Sequence, residues 1–299
     1  VQISVTISGF TRLFDNDLRA VVDAAKAADA AGVHQIVVPD HVVMGTRTDR
    51  YPFGKFPYGP EEPWPEPLIV LAAIAGATER VRLGTGILIS PLRPAVLLAK
   101  TAATLDQVSH GRLDLGVGLG WQREEFAAEG IAFADRKVRF ADQLRACVAL
   151  WTREPPVSFE SDTVSFTDLW CEPRPVQPGG VPLSFGTAAT PEMVDLMAEL
   201  GAGWLPIHTT TPDELLDGLD RLRAAYGAAG RDPASLLVRE TLRPVLGADG
   251  RLDGPATRAA AEPLAERGIT MASVGLGRNL DDAGGVARFF DDLGRAFAS

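Results

Sequence analysis

Short apolar runs alternate with amphipathic stretches along nearly the whole chain. The runs at 3–9, 34–39, 81–89, 112–118, 182–186, 203–207, 236–242 and 269–274 read as strands, most of them bounded by turn residues. Helical periodicity fills nearly every gap between them. From Asp17 to Ala31 the apolar positions Leu18, Val21, Val22, Ala25 and Ala28 share one face, and Gly32 stops the run. Thr190-Pro191-Glu192 and Thr211-Pro212-Asp213-Glu214 repeat one helix-start pattern: a capping hydroxyl, a proline in the first turn, then acid against the helix dipole. Gly201 and Gly230 stand where those two helices should stop.

Eight strands, each followed by helix, predict a (β/α)8 TIM barrel. A doubly wound sheet uses the same βαβ units and stays open as the alternative. No linker rich in Pro, Gly or Ser divides the chain, so residues 1–299 are expected to form a single domain. Two segments break the rhythm. Residues 40–66, after the second strand, are rich in proline and have no helical period, yet Tyr51, Phe53, Phe56, Tyr58 and Trp64 argue against disorder. Residues 152–181, after the fourth strand and its helix, hold short strand-like pieces. Both insertions are expected on the barrel face that carries active sites.

Composition narrows the classes. With 299 residues, 46% of them hydrophobic, the chain can bury a large core. A formal charge of −10 argues against nonspecific binding to nucleic acid or to an anionic membrane. The longest apolar run, LIVLAAIAGA at 68–77, is too short to span a bilayer, and VQISVTISGF alternates like a strand rather than a signal peptide. The two cysteines, Cys147 and Cys171, make no disulfide framework, so a reduced, cytoplasmic setting is expected.

DLGVGLGW, at 114–121, raises the question of a dinucleotide fold. A Rossmann fingerprint spaces its glycines G-x-G-x-x-G in the first βαβ unit, with an acid ending the next strand. Here the third glycine comes one residue early, the motif sits at the fourth strand, and no acid follows. Gly84 and Gly86 on the third strand, Gly116, Gly118 and Gly120 on the fourth and Gly186 on the fifth suggest instead bare backbone beneath a flat ring system.

The run RLGTGILISPLRPAVLLAKTAATLDQVSHGRLDLGVGLGWQREEFAAEG, with VVPDH, PRPVQPGGVPLSFG and GAGWLP around it, resembles the luciferase-like monooxygenase family over most of residues 1–230. The resemblance implies a (β/α)8 barrel that binds FMN or the deazaflavin coenzyme F420, and homodimers are common in the family. The chain is most similar to the F420-using branch.

Asp40 and His41 end the second strand, where a barrel presents its functional groups. The resemblance implies that this pair is catalytic, with Asp40 beside the ring and His41 near its reactive face. Histidine suits that place, since it can hold or give a proton near neutral pH. On residues alone, Asp40 capping the loop and His41 filling space remain open. The resemblance also implies a cis peptide at Gly86-Ile87 behind the ring, a phosphate seat at Gly186, Thr187 and Ala188 leading into a helix N-terminus, and cofactor contacts at Gly118, Gly120 and Trp121. Glu192 opposes an anion on the helix axis, which favours Gly186 to Ala188 for the phosphate. Some F420-dependent sugar-phosphate dehydrogenases of the family carry glutamate where Trp121 stands and tryptophan near Gly45, so a sugar phosphate is not the expected substrate. Glu124 and Glu125 read as a solvated acidic first turn. His34 and His110 fall on the opposite barrel face and read as structural, whereas His208 follows the sixth strand on the active side.

The expected function is F420-dependent hydride transfer to or from a small organic substrate, with no nucleic-acid or membrane partner. FMN is the alternative cofactor, used by a monooxygenase with dioxygen and a separate flavin reductase. A metal-dependent hydrolase on the same barrel is disfavoured: no H-x-H ends the first strand, and the chain has four histidines, two of them assigned to the wrong face. No metal site is expected.

Overall fold

A computed structural model describes residues 1–280 and 282–298. Its strands are β1 (Gln2–Thr6), β2 (Gln35–Val38), β3 (Arg82–Thr85), β4 (Leu88–Ile89), β5 (Leu113–Gly118), β6 (Val157–Glu160), β7 (Ser165–Leu169), β8 (Leu183–Phe185), β9 (Gly203–Trp204), β10 (Arg239–Thr241) and β11 (Met271–Gly275). β6 and β7 form a separate antiparallel hairpin, and the others pair in parallel in the order β10-β11-β1-β2-β3-β5-β8-β9, with β4 also on β5. A parallel bridge between Trp204 and Val238 joins the two ends of this order, where Trp204 N–H donates to Leu237 O at 2.8 Å. The sheet is therefore an α/β barrel, not an open doubly wound sheet. β2 reads QIVV and is buried at every position, as expected of a parallel strand covered on both faces.

Local signals explain the helices. Asp17 caps the helix Leu18–Ala30 by accepting the Arg19 N–H. Thr211 and Glu214 form a reciprocal capping box on the helix Pro212–Ala228. Gly201 ends the helix Pro191–Leu200 at φ 68°, a conformation glycine adopts without penalty. The predicted strand at 81–89 is divided into β3 and β4 by a cis peptide at Gly86-Ile87. The sixth predicted strand shortens to two residues. Trp204 in it is fully buried, its Nε1 donating to Thr187 O at 2.9 Å.

One placement overturns the sequence expectation. The 152–181 segment does not reach the active face. It follows the helix Arg136–Thr152 rather than a strand, so the chain has already returned to the opposite end of the barrel. There Gln177 donates to Asp106 Oδ1 and to Leu113 O, each at 2.7 Å, and accepts from Arg82, all near strand starts. Among the described residues, no helix is long and apolar enough to cross a membrane.

Candidate active site

A cavity of about 840 Å³ opens over the C-terminal ends of the strands. β2 delivers Asp40 and His41 to its wall, and both side chains are buried. Asp40 is committed on both oxygens: Oδ2 accepts the Ile89 N–H at 2.8 Å and Arg93 Nη1 at 2.7 Å, while Oδ1 accepts Arg93 Nη2 at 3.0 Å. Burial alone would lower the Arg93 guanidinium, but Asp40 and Glu66 outweigh it and hold it above its ordinary value. Asp40 thus ties the end of β2 to β4, with both oxygens held by Arg93 and Ile89 at the cavity wall.

His41 has a partner that the sequence reading placed in solvent. Glu125, in the helix Arg123–Ala128, is 0% exposed. Its Oε2 lies 3.1 Å from His41 Nδ1, and its Oε1 accepts the Val42 N–H at 2.9 Å. The solvated first turn holds for Glu124 alone, which is partly exposed and 3.7 Å from Arg50. Successive helix residues point about 100° apart, so one acid faces out while the next enters the core beside buried Phe126. The available signal was that phenylalanine: it marks the inward face, and Glu125 adjoins it.

The glycines divide between two places: Gly86, Gly120 and Gly186 line the cavity, while Gly116 and Gly118 lie behind it. A Cβ on Gly116 would stand 2.2 Å from Thr85 O, so this glycine lets two strands approach. Gly118 does not line the cavity. A Cβ there would meet Ile87 Cδ1 at 2.6 Å, and one on Gly186 would meet Ile87 Cγ2 at 2.5 Å. Both glycines seat the Ile87 side chain, which together with Gly86 and Gly186 lines the cavity. The cavity wall at this point is therefore an isoleucine bedded on glycines, not bare backbone throughout. Gly120, at φ 71°, does line the cavity and clears Ile89 and Phe126.

The 40–66 loop folds over this site as an aromatic cluster. Trp64 meets His41 edge-on at 4.8 Å between ring centroids, and Phe56 and Tyr51 pack on Trp121 at 5.3 and 5.2 Å. His208 stacks on Tyr51 and its Nε2 contacts Phe53 O at 2.9 Å, tying the sixth strand's loop to this cover. Trp121 is thus a cavity wall. Gly186, Thr187 and Ala188 line the cavity too, and the buried Thr187 Oγ1 has no hydrogen-bond partner among the described residues. A buried hydroxyl without a partner suits a site completed by a ligand. Arg123 and Arg136 line the same cavity, both against the Phe133 ring at 4.4 and 3.9 Å, and Arg136 Nε lacks a partner. Burial, then the neighbouring Arg123 charge, lower the Arg136 guanidinium. Neither arginine carried a motif that distinguished it in the sequence. Among the described residues, no three His, Cys, Asp or Glu side chains gather as metal ligands would.

A model of the luciferase-like monooxygenase family matches residues 3–275. An uncharacterised protein of Mycobacterium tuberculosis (strain ATCC 25618 / H37Rv) is 32% identical over 240 residues, covering 78% of this chain and 83% of that protein. Among solved structures, the monooxygenase RslO1 of Streptomyces bottropensis matches with a TM-score of 0.82 at 22% identity, over 99% of this chain and 98% of that one. An F420-dependent secondary alcohol dehydrogenase matches at 0.78 and 16%, over the whole of both chains. The FMN-bound oxygenating constituent of 3,6-diketocamphane monooxygenase from Pseudomonas putida matches at 0.64 and 18%, over 82% of this chain and 68% of that one. At these identities the structural likeness is one of fold.

Proposed function

The chain belongs to the luciferase-like monooxygenase family, and from that premise we propose that it is a coenzyme F420-dependent oxidoreductase acting on a small organic substrate. The observation that carries this reading is the buried His41–Glu125 pair on the wall of the cavity. A carboxylate only accepts hydrogen bonds, so Nδ1 carries the proton and Nε2 is left with its lone pair toward the cavity. Nε2 then takes the hydroxyl proton of an alcohol as it is oxidised, and returns it when the carbonyl is reduced. The cofactor, when bound, supplies the hydride chemistry.

The residues present fit such a ring system. Ile87 offers a flat apolar support, and Thr187 Oγ1 is an unpartnered polar atom at the expected phosphate seat. Arg123 and Arg136 add the positive charge that a phosphate requires. The aromatic loop keeps water from the reacting atoms. The choice of F420 is supported by the family motifs and by full-length likeness to an F420-dependent enzyme. We further propose a homodimer as the working form.

The second reading is an FMN-dependent monooxygenase, favoured by the likeness to enzymes described as monooxygenases. It needs a separate flavin reductase. Equilibrium binding of purified protein to each cofactor, read by absorbance and fluorescence, separates the two. F420 is expected to bind at micromolar concentration or tighter. Retention of FMN with no measurable F420 binding overturns the F420 reading.

A further inference from the structure

Below the cavity floor, a chain of polar side chains crosses the barrel interior. Ser4 Oγ donates to Gln35 Oε1 at 3.0 Å, Gln35 Nε2 donates to Asp114 Oδ2 at 2.8 Å, and Arg82 clamps Asp114 through Nε and Nη2 at 2.7 and 2.5 Å. Arg239, the first residue of β10, joins through one hydrogen bond, from Nη1 to Gln35 Oε1 at 3.1 Å. Arg82 engages both oxygens of Asp114, which leaves that carboxylate committed to Arg82. Among the described residues, no carboxylate forms an ion pair with Arg239. Glu240, next in sequence, also lines the cavity, but its Oε1 accepts the Thr241 N–H and it makes no ion pair with Arg239. Arg239 is half-buried at the cavity wall, and burial pushes its guanidinium down to about 10 against the opposing pull of Asp114.

A half-buried cation without a paired carboxylate is a ready partner for an anion. The open direction is the cavity. Arg239 lines it, and its Nη2 stands 3.2 Å from the point a Cβ on Gly86 would occupy. Gly86 thereby keeps the guanidinium clear beside the Ile87 support. Were a ring bound there to take hydride, one proton with two electrons, from a substrate carbon, it would gain one negative charge, and His41 would take the substrate's hydroxyl proton.

We propose that Arg239 is the cationic partner of that added charge, so that the site binds the reduced ring more tightly than the oxidised one. This inference rests on the cofactor reading above. It assigns Arg239 an electrostatic task at the ring's edge in addition to its place in the barrel core.

The test is titration of wild type, Arg239→Lys and Arg239→Met with F420 and with FMN, each oxidised and reduced, alongside the midpoint potential of the bound cofactor. Wild type is expected to favour the reduced form at least tenfold, raising the potential by about 30 mV for a two-electron couple. Arg239→Met loses that preference, and Arg239→Lys keeps most of it. Equal affinity of the wild type for both redox states overturns the inference whether or not the variants fold. So does an Arg239→Met protein with an unchanged melt and an unchanged preference. A wild type that takes up neither cofactor overturns the cofactor reading itself, and this inference with it.

Discussion

Glu125 determines what His41 can do. Its Oε1 is held by the Val42 N–H, which leaves only the second oxygen for the ring. In Glu125→Gln the amide oxygen must stay on that N–H, so the amide NH₂ is turned toward His41 Nδ1 and donates to it. Nδ1 then becomes the acceptor, the proton moves to Nε2, and the base facing the cavity is lost. We expect substrate oxidation to fall by about 10²–10⁴-fold, the usual span for a lost general base, with cofactor affinity unchanged within a few-fold. His41→Ala should lose turnover to a similar degree. Nitrogen NMR of the imidazole reports the tautomer directly; Glu125→Gln showing the wild-type tautomer and wild-type turnover would refute the role given to Glu125. Asp40 behaves differently. It was legible in the sequence as the partner of His41, but its carboxylate belongs to Arg93 and Ile89, contacts across 53 and 49 residues that periodicity does not carry.

At the scale of elements, the meeting of β3, β4, β5 and β8 makes the cavity floor. Gly118 and Gly186 come from different strands and converge on one side chain, Ile87. A methyl group on Gly186 would lie 2.5 Å from Ile87 Cγ2 and push it toward the cavity. Gly186→Ala should cost about 1–3 kcal/mol of stability as an overpacking change, and it should weaken cofactor binding more than tenfold. Adding Ile87→Ala removes Cγ2, and with it the clash, and should restore part of the stability. Binding titrations and thermal melts on the single and double variants measure that coupling. If Gly186→Ala binds cofactor as wild type does, the support role of Ile87 fails. The glycine pattern was visible in the sequence, but its occupant was not, because a glycine records only that something approaches closely.

The whole molecule exposes an apolar surface that its own core does not explain. Ile69 and Leu97, on the packed helices Pro67–Ala75 and Ala95–Val108, are 69% and 60% exposed. Isolated exposed apolar residues are ordinary, but large ones on adjacent helices suit a subunit contact. We expect sedimentation to show a dimer, and the double change Ile69→Lys with Leu97→Glu to give a monomer with its melt preserved. A wild-type monomer at micromolar concentration contradicts this.

Much of the architecture was legible because strand and helix periods are local properties of the chain. The eight barrel strands, the Thr211 cap and the placement of Asp40 and His41 at the end of β2 follow from patterns a few residues long. Thr190, which carries the same helix-start pattern, makes no side-chain cap. The sequence by itself also carried the family, through motifs spread over most of residues 1–230. What only the tertiary structure decided were facts of long-range packing: that Glu125 turns inward to His41, that residues 152–181 lie at the far end of the barrel, and that Arg239 reaches the cavity wall without an ion pair among the described residues. The burial of a charge depends on what surrounds it in space. For Glu125 that is a histidine 84 positions earlier, and for Arg239 a glutamine 204 positions earlier.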